Sequence, residues 1–129
     1  MKNNGNIKRY LQLNNKYIND ADKYIMKDDY VQASEKLWGA SVTIIKAIAA
    51  QRGKTIKSHE GIQYFFAQIA KELKDANINT ICLIAEGLHQ NFYENTTHPD
   101  TIKKGSKTIK QFVIRMRNKF AFDDLQENG

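Results

Sequence analysis

Three histidines, His59, His89 and His98, are the side chains of this 129-residue sequence best suited to move a proton near neutral pH. His59 has the richest chemical context. Arg52 precedes it with six residues between, and an arginine at that distance can hold a phosphate while the imidazole acts as general acid or base. As a pair, Arg52 and His59 would be the catalytic residues of a metal-independent ribonuclease. His89 falls on an apolar stripe between Ala85 and Phe92, which suits a core or interface histidine, and His98 stands before Pro99 where a helix is expected to begin.

Cations supply the second kind of chemistry. Twenty Lys and Arg against fourteen Asp and Glu leave a net charge of +6, which favours an anionic partner. Lys103, Lys107 and Lys110 follow one helical face, with Lys104, Arg115, Arg117 and Lys119 nearby, and such a face can contact a phosphate backbone. A solvated outer surface would explain the same residues as simply. Arg52, Lys54 and Lys57 form another cluster, leading into the backbone donors of a helix expected to start at Ser58, where an anion could rest. Gly53 alone does not make a phosphate-binding loop, so a merely positive turn is the plainer reading.

Several chemistries have no residues to carry them. Cys82 is the single cysteine; it cannot form an internal disulfide, and its place on an apolar stripe suits a buried, inert thiol. No spacing of zinc, dinucleotide-fold or P-loop type occurs, so neither a metal nor a cofactor is expected. Asp28 with Asp29, and Asp123 with Asp124, read as a cap and a solvated tail rather than paired catalytic carboxylates. The longest uncharged apolar stretch, 37–45, is too short to cross a bilayer, and no signal-like segment opens the chain, so a cytoplasmic protein without membrane contact is expected.

The elements that must position these groups are helical. Ile7, Leu11, Ile18, Ala21 and Ile25 recur at three- and four-residue steps, with Tyr10, Tyr17 and Tyr24 along one face. Asp28 or Asp29 can cap a second helix striped by Val31, Leu37, Trp38, Ser41, Ile44, Ile45 and Ile48; Ala33, Ala40, Ala47 and Gly39 leave it approachable on two sides, so it should be central. A third helix follows Ser58 with Ile62, Phe65, Phe66, Ile69 and Leu73. The fourth turns Ile81, Cys82, Ala85, Leu88, His89 and Phe92 to one side. The fifth starts around Pro99 and buries Ile102, Ile109, Phe112, Val113, Met116 and Phe120. Short connections make neighbours antiparallel, and the expected fold is all-α: an up-and-down bundle of about five helices in a single domain, with an ordered core over about 6–121 and an acidic tail over 122–129.

Two strings carry a family resemblance: DYVQASEKLWGASVTIIKA from Asp29 to Ala47, which contains Trp38, and GLHQNFYEN from Gly87 to Asn95, which contains His89, Asn91, Phe92, Tyr93 and Glu94. Together they resemble the archaeal PaREP family within the wider HEPN group of helical bundles, over about Tyr17 to Phe120. The resemblance implies a four- or five-helix fold, homodimerisation, and an association with RNA cleavage, nucleotide handling or toxin–antitoxin pairs. Nuclease members of the group carry an arginine, often followed by asparagine, with a histidine a few residues on. Arg117 and Asn118 match that context, but Phe122 stands where the histidine would be and cannot shuttle a proton; Arg52 and His59 have a permitted spacing but lie between the second and third helices. The expectation is a non-catalytic module that homodimerises and binds RNA or a nucleotide through Arg52, Lys54, Lys57, Lys103, Lys107, Lys110 and Arg117. Two alternatives stay open: the Arg52/His59 ribonuclease, and a protein–protein adaptor that presents His89, Asn91, Tyr93 and Glu94.

Overall fold

The computed structural model describes residues 4–122. It contains five helices in chain order: α1 Asn4–Met26, α2 Tyr30–Gln51, α3 His59–Glu72, α4 Asn77–Glu94 and α5 Pro99–Lys119. No strand occurs among the described residues. The connections are 27–29, 52–58, 73–76 and 95–98, short enough that each helix packs against the next. The all-α bundle expected from periodicity is what the chain forms.

Local chemistry sets the boundaries. The Asp29 carboxylate accepts from the Gln32 backbone N–H at 3.1 Å and opens α2, while Asp28 turns the chain with a positive φ of 58°. Ser58 opens α3 by accepting from Gly61 at 3.0 Å. At α5, the Nδ1 of His98 accepts from Asp100 at 3.1 Å beside Pro99, so His98 is the cap of that helix. Gly53 (φ 72°), Lys74 (53°) and Asn95 (51°) adopt left-handed backbone after α2, α3 and α4.

As its small residues require, α2 is the central helix and touches all four others. Ala33, Ala40 and Ala47 are completely buried, and the Tyr17 ring lies directly against Gly39. Phe66 and Phe112 stack at 5.8 Å in the core, which adds about 0.5–1.5 kcal/mol to the burial of the two rings.

Three details depart from the periodic reading. First, α1 starts a turn before Ile7. Second, α4 is rotated: Ile78, Ala85, Leu88 and Asn91 are buried, whereas Ile81, Cys82, His89 and Phe92 are only half-buried, because Asn91 finds partners inside the bundle. Third, Phe122, assigned by sequence to the tail, is buried and stacks on Phe120 at 6.3 Å, since its ring gains more from the core than from water. The rest of the expected acidic tail, 123–129, lies outside the described residues.

Candidate functional site

Two of the three histidines singled out by sequence, His59 and His89, meet on one side of α2. Trp38 projects from α2 toward the start of α3 and the middle of α4, and its ring centroid lies 5.1 Å from that of His59 and 4.7 Å from that of His89. The two imidazoles are 5.6 Å apart. These three distances close a nearly equilateral triangle, so both histidines gather at one side of the indole instead of sandwiching it. Tyr93 adds an edge-on contact to His89 at 5.4 Å.

Each imidazole has its own carboxylate. His59 Nε2 meets Glu86 Oε1 at 2.6 Å, and Gln63 Nε2 donates to the same carboxylate at 2.7 Å. His89 Nδ1 meets Glu35 Oε1 at 3.0 Å. Helical spacing explains the convergence: Glu35 and Trp38 are one turn apart on α2, Glu86 and His89 one turn apart on α4, and His59 and Gln63 one turn apart on α3. A carboxylate beside an imidazole fixes its tautomer and orientation. Glu35, Glu86 and Gln63 escaped the sequence reading; their one-turn spacing from Trp38, His89 and His59 was the available signal, but nothing in the sequence said that those faces meet.

Arg52 does not join His59. Its guanidinium grips Glu72 through two bonds, Nη1 to Oε1 at 2.8 Å and Nη2 to Oε2 at 2.6 Å, and lies over the rings of Phe65 (5.5 Å) and Phe120 (5.8 Å). The Arg52 hydrogen bond, reinforced by its charge, holds the Glu72 carboxyl below the ordinary carboxylate value. Within one chain the expected Arg52/His59 catalytic pair is therefore replaced by two separate ones, Arg52 with Glu72 and His59 with Glu86. Lys54 and Lys57 stay exposed in the connecting loop.

The α5 cations split into two groups. Lys103 and Lys107 are exposed and, with Lys110, line a groove of about 390 Å³ between α5 and α1; Lys110 Nζ donates to Asp22 there at 2.8 Å. Arg117, expected among the anion-binding cations, is instead buried: its guanidinium donates to Leu11 O (3.1 Å), Asn14 Oδ1 (3.1 Å) and Asn15 Oδ1 (3.0 Å) on α1. One turn after Val113 and next to Met116, its Cα sits on the core side of α5, which commits the charge to an internal network. Asn14 extends that network to α2 by donating to Ala40 O at 2.6 Å and Thr43 Oγ1 at 3.1 Å.

The GLHQNFYEN string divides in the same way. Asn91 is structural: Nδ2 donates to Ser34 Oγ, and Oδ1 accepts from the backbone N–H groups of Thr96 and Thr97 at 2.9 and 2.8 Å. Phe92 is half-buried and meets Tyr93 edge to face, while Tyr93 and Glu94 face solvent. Among the described residues no group of three or more His, Cys, Asp or Glu side chains is placed to hold a metal, and no helix is long and apolar enough to cross a membrane. Burial, followed by the nearby Glu86 charge, raises the Cys82 thiol to about 11.

No curated protein matches the chain. A crystal structure of a Sulfolobus solfataricus protein has the same fold with a TM-score of 0.73, covering 84% of this chain and 96% of that one at 22% identity. Residues 9–113, most of the bundle and both strings that carried the resemblance, match the archaeal PaREP1/PaREP8 family, to which the chain belongs.

Proposed function

We propose that this protein is a non-catalytic binding module for RNA, whose phosphates follow the α1/α5 groove. The observation that carries the reading is the row Lys103, Lys107 and Lys110 opening into one groove, in which Asp22, the only acidic side chain among the described residues that line it, is already engaged by Lys110. With Lys110 held by Asp22, Lys103 and Lys107 on a single strand correspond to a slope of log K against log salt of about −1.4, a loss of roughly sevenfold in affinity between 50 and 200 mM salt. Fluorescence anisotropy with a labelled single-stranded RNA measures this directly. The variant carrying Lys103→Glu and Lys107→Glu should bind at least about tenfold more weakly and with a flatter salt slope; unchanged affinity and slope in that variant would reject the groove.

The same reading makes the chain a homodimer. Tyr64 and Asn79 line a groove of about 830 Å³ between α3 and α4, and Leu83 lies one turn beyond Asn79. Tyr64 and Leu83 are 75% and 73% exposed, an unusual pairing of large apolar side chains on one face, and a second copy would cover them. Light scattering should give twice the chain mass for the wild type and a monomer for Leu83→Glu; a monomeric wild type at micromolar concentration refutes the dimer.

A further inference from the structure

Between α1 and α2, with His89 of α4 in its wall, lies a second cleft of about 440 Å³. Helix α1 packs on α2 and lightly on α5 but touches neither α3 nor α4, so beyond His89 no other helix closes this side of the pair. The floor is an apolar ladder. Tyr10, Leu13 and Tyr17 stand at steps of three and four residues on α1, and Trp38 and Val42 four apart on α2, each of them half-buried. The α1 row is about 10 Å long, two helical turns. The Tyr17 ring against Gly39 and the bond from Asn14 Nδ2 to Thr43 Oγ1 at 3.1 Å fix the register in which the two rows face each other.

The charges around this floor leave cations to spare. Lys46 makes no ion pair among the described residues, Lys36 lies over the Tyr17 ring at 5.6 Å, and Arg9 lies over the Tyr10 ring at 5.2 Å. Glu35, the only acidic side chain among the described residues that line the cleft, is met by His89 at 3.0 Å. Asp20 on α1, which feels the Lys36 charge, is bonded to Lys16 at 2.8 Å. An amphipathic helix seats its own anchors in an apolar ladder of three- and four-residue steps, and cations at the rim call for acidic residues beside those anchors. Two competitors fit less well. A second copy of a chain with net charge +6 would bring cations to cations. A nucleic-acid strand would lay phosphates beside Glu35 and meet the aliphatic Leu13 and Val42 where its bases need flat rings.

We infer that the α1/α2 cleft is a docking groove for an acidic amphipathic helix of another protein, its apolar anchors seated on the Tyr10, Leu13, Tyr17, Trp38 and Val42 ladder and its glutamates or aspartates meeting Arg9, Lys36 and Lys46. The groove is separate from the α1/α5 cations and from the α3/α4 face, and it does not depend on RNA binding or dimerisation there.

Trp38 is the sole tryptophan and lines the groove, so its fluorescence reports on docking without a label. The probe is a synthetic, tryptophan-free peptide of about four helical turns with leucine on one face and glutamate on the others. Its controls are the same peptide with lysine for glutamate, and a shuffled peptide of equal composition without an apolar face. The acidic peptide should shift the Trp38 emission saturably with a Kd at or below about 100 μM, and both controls should bind at least about tenfold more weakly. In the full chain, Lys46→Glu should weaken the acidic peptide by about tenfold and strengthen the lysine peptide, a reversal that loss of structure could not produce. Leu83→Glu and the Lys103→Glu, Lys107→Glu variant should bind the acidic peptide like the wild type. No saturable shift, equal binding of the shuffled peptide, or an unaltered preference in Lys46→Glu would overturn the assignment. So would tighter peptide binding after Asp123→Asn, Asp124→Asn and Glu127→Gln, which would make the chain's own tail the occupant. A dimer lost in Lys46→Glu would make the occupant a second copy, and displacement of the peptide by single-stranded RNA from the Lys103/Lys107 variant would make it a nucleic acid; either result also overturns the assignment.

Discussion

Replacing Gly39 by alanine sets two well-measured effects against each other, and their balance tests how α1 is seated on α2. Alanine in the middle of α2 gains about 1 kcal/mol of helix propensity over glycine. Its new Cβ would stand 2.9 Å from Tyr17 Cδ2 and 3.1 Å from Cε2 and Cγ. Such a contact pushes the ring off Gly39, an overpacking that costs about 1–3 kcal/mol. Because Tyr17 is only half-buried it can yield in part, which puts the clash near 2 kcal/mol and the net effect at about 1 kcal/mol of destabilisation. For a chain of this length that lowers Tm by about 4 °C. Urea unfolding of four proteins decides the matter: wild type, Gly39→Ala, Tyr17→Leu and the double variant. In the Tyr17→Leu background the clash is gone, so Gly39→Ala should there stabilise by about 0.5–1 kcal/mol. A Gly39→Ala protein more stable than wild type, with no sign reversal between backgrounds, would refute the claim that glycine is needed to admit the ring.

Asn91→Ala removes the Ser34 bond and strands the Thr96 and Thr97 N–H groups, and should cost about 2–3 kcal/mol in thermal unfolding; Asn91→Asp, which keeps both backbone bonds, should cost less. The lowered Glu72 value means that the Arg52–Glu72 pair contributes stability above the ordinary carboxylate value of 4.5 and loses it as pH falls through the lower folded value. With Glu72 40% exposed, Glu72→Gln should cost no more than about 1 kcal/mol at pH 7, and denaturation curves of the two proteins should converge in acid. With its thiol raised to about 11, Cys82 should react with a disulfide reagent at pH 7–8 far more slowly in the folded chain than in urea.

The sequence by itself determined the helices and the starts of α2, α3 and α5. Apolar residues at three- and four-residue steps can cover a core only by winding into helices, and Asp29, Ser58, Gly53 and Pro99 act on backbone groups within a few residues of themselves. The centrality of α2 was legible for the same reason, since Ala33, Ala40, Ala47 and Gly39 admit neighbours whichever those turn out to be. Which charge answers which was not legible. Arg117 reads as one more cation of a basic helix until α1 brings Leu11 O, Asn14 and Asn15 to it, and Arg52 reads as a partner for His59 until Glu72, twenty residues away, takes its fork. His59, His89 and Trp38 lie on three different helices, and only tertiary packing makes them a triangle with Glu35 and Glu86 behind it. Periodicity is a property of one helix, whereas a site belongs to the faces that several helices turn toward each other, and those relative rotations are set by the fit of the whole core.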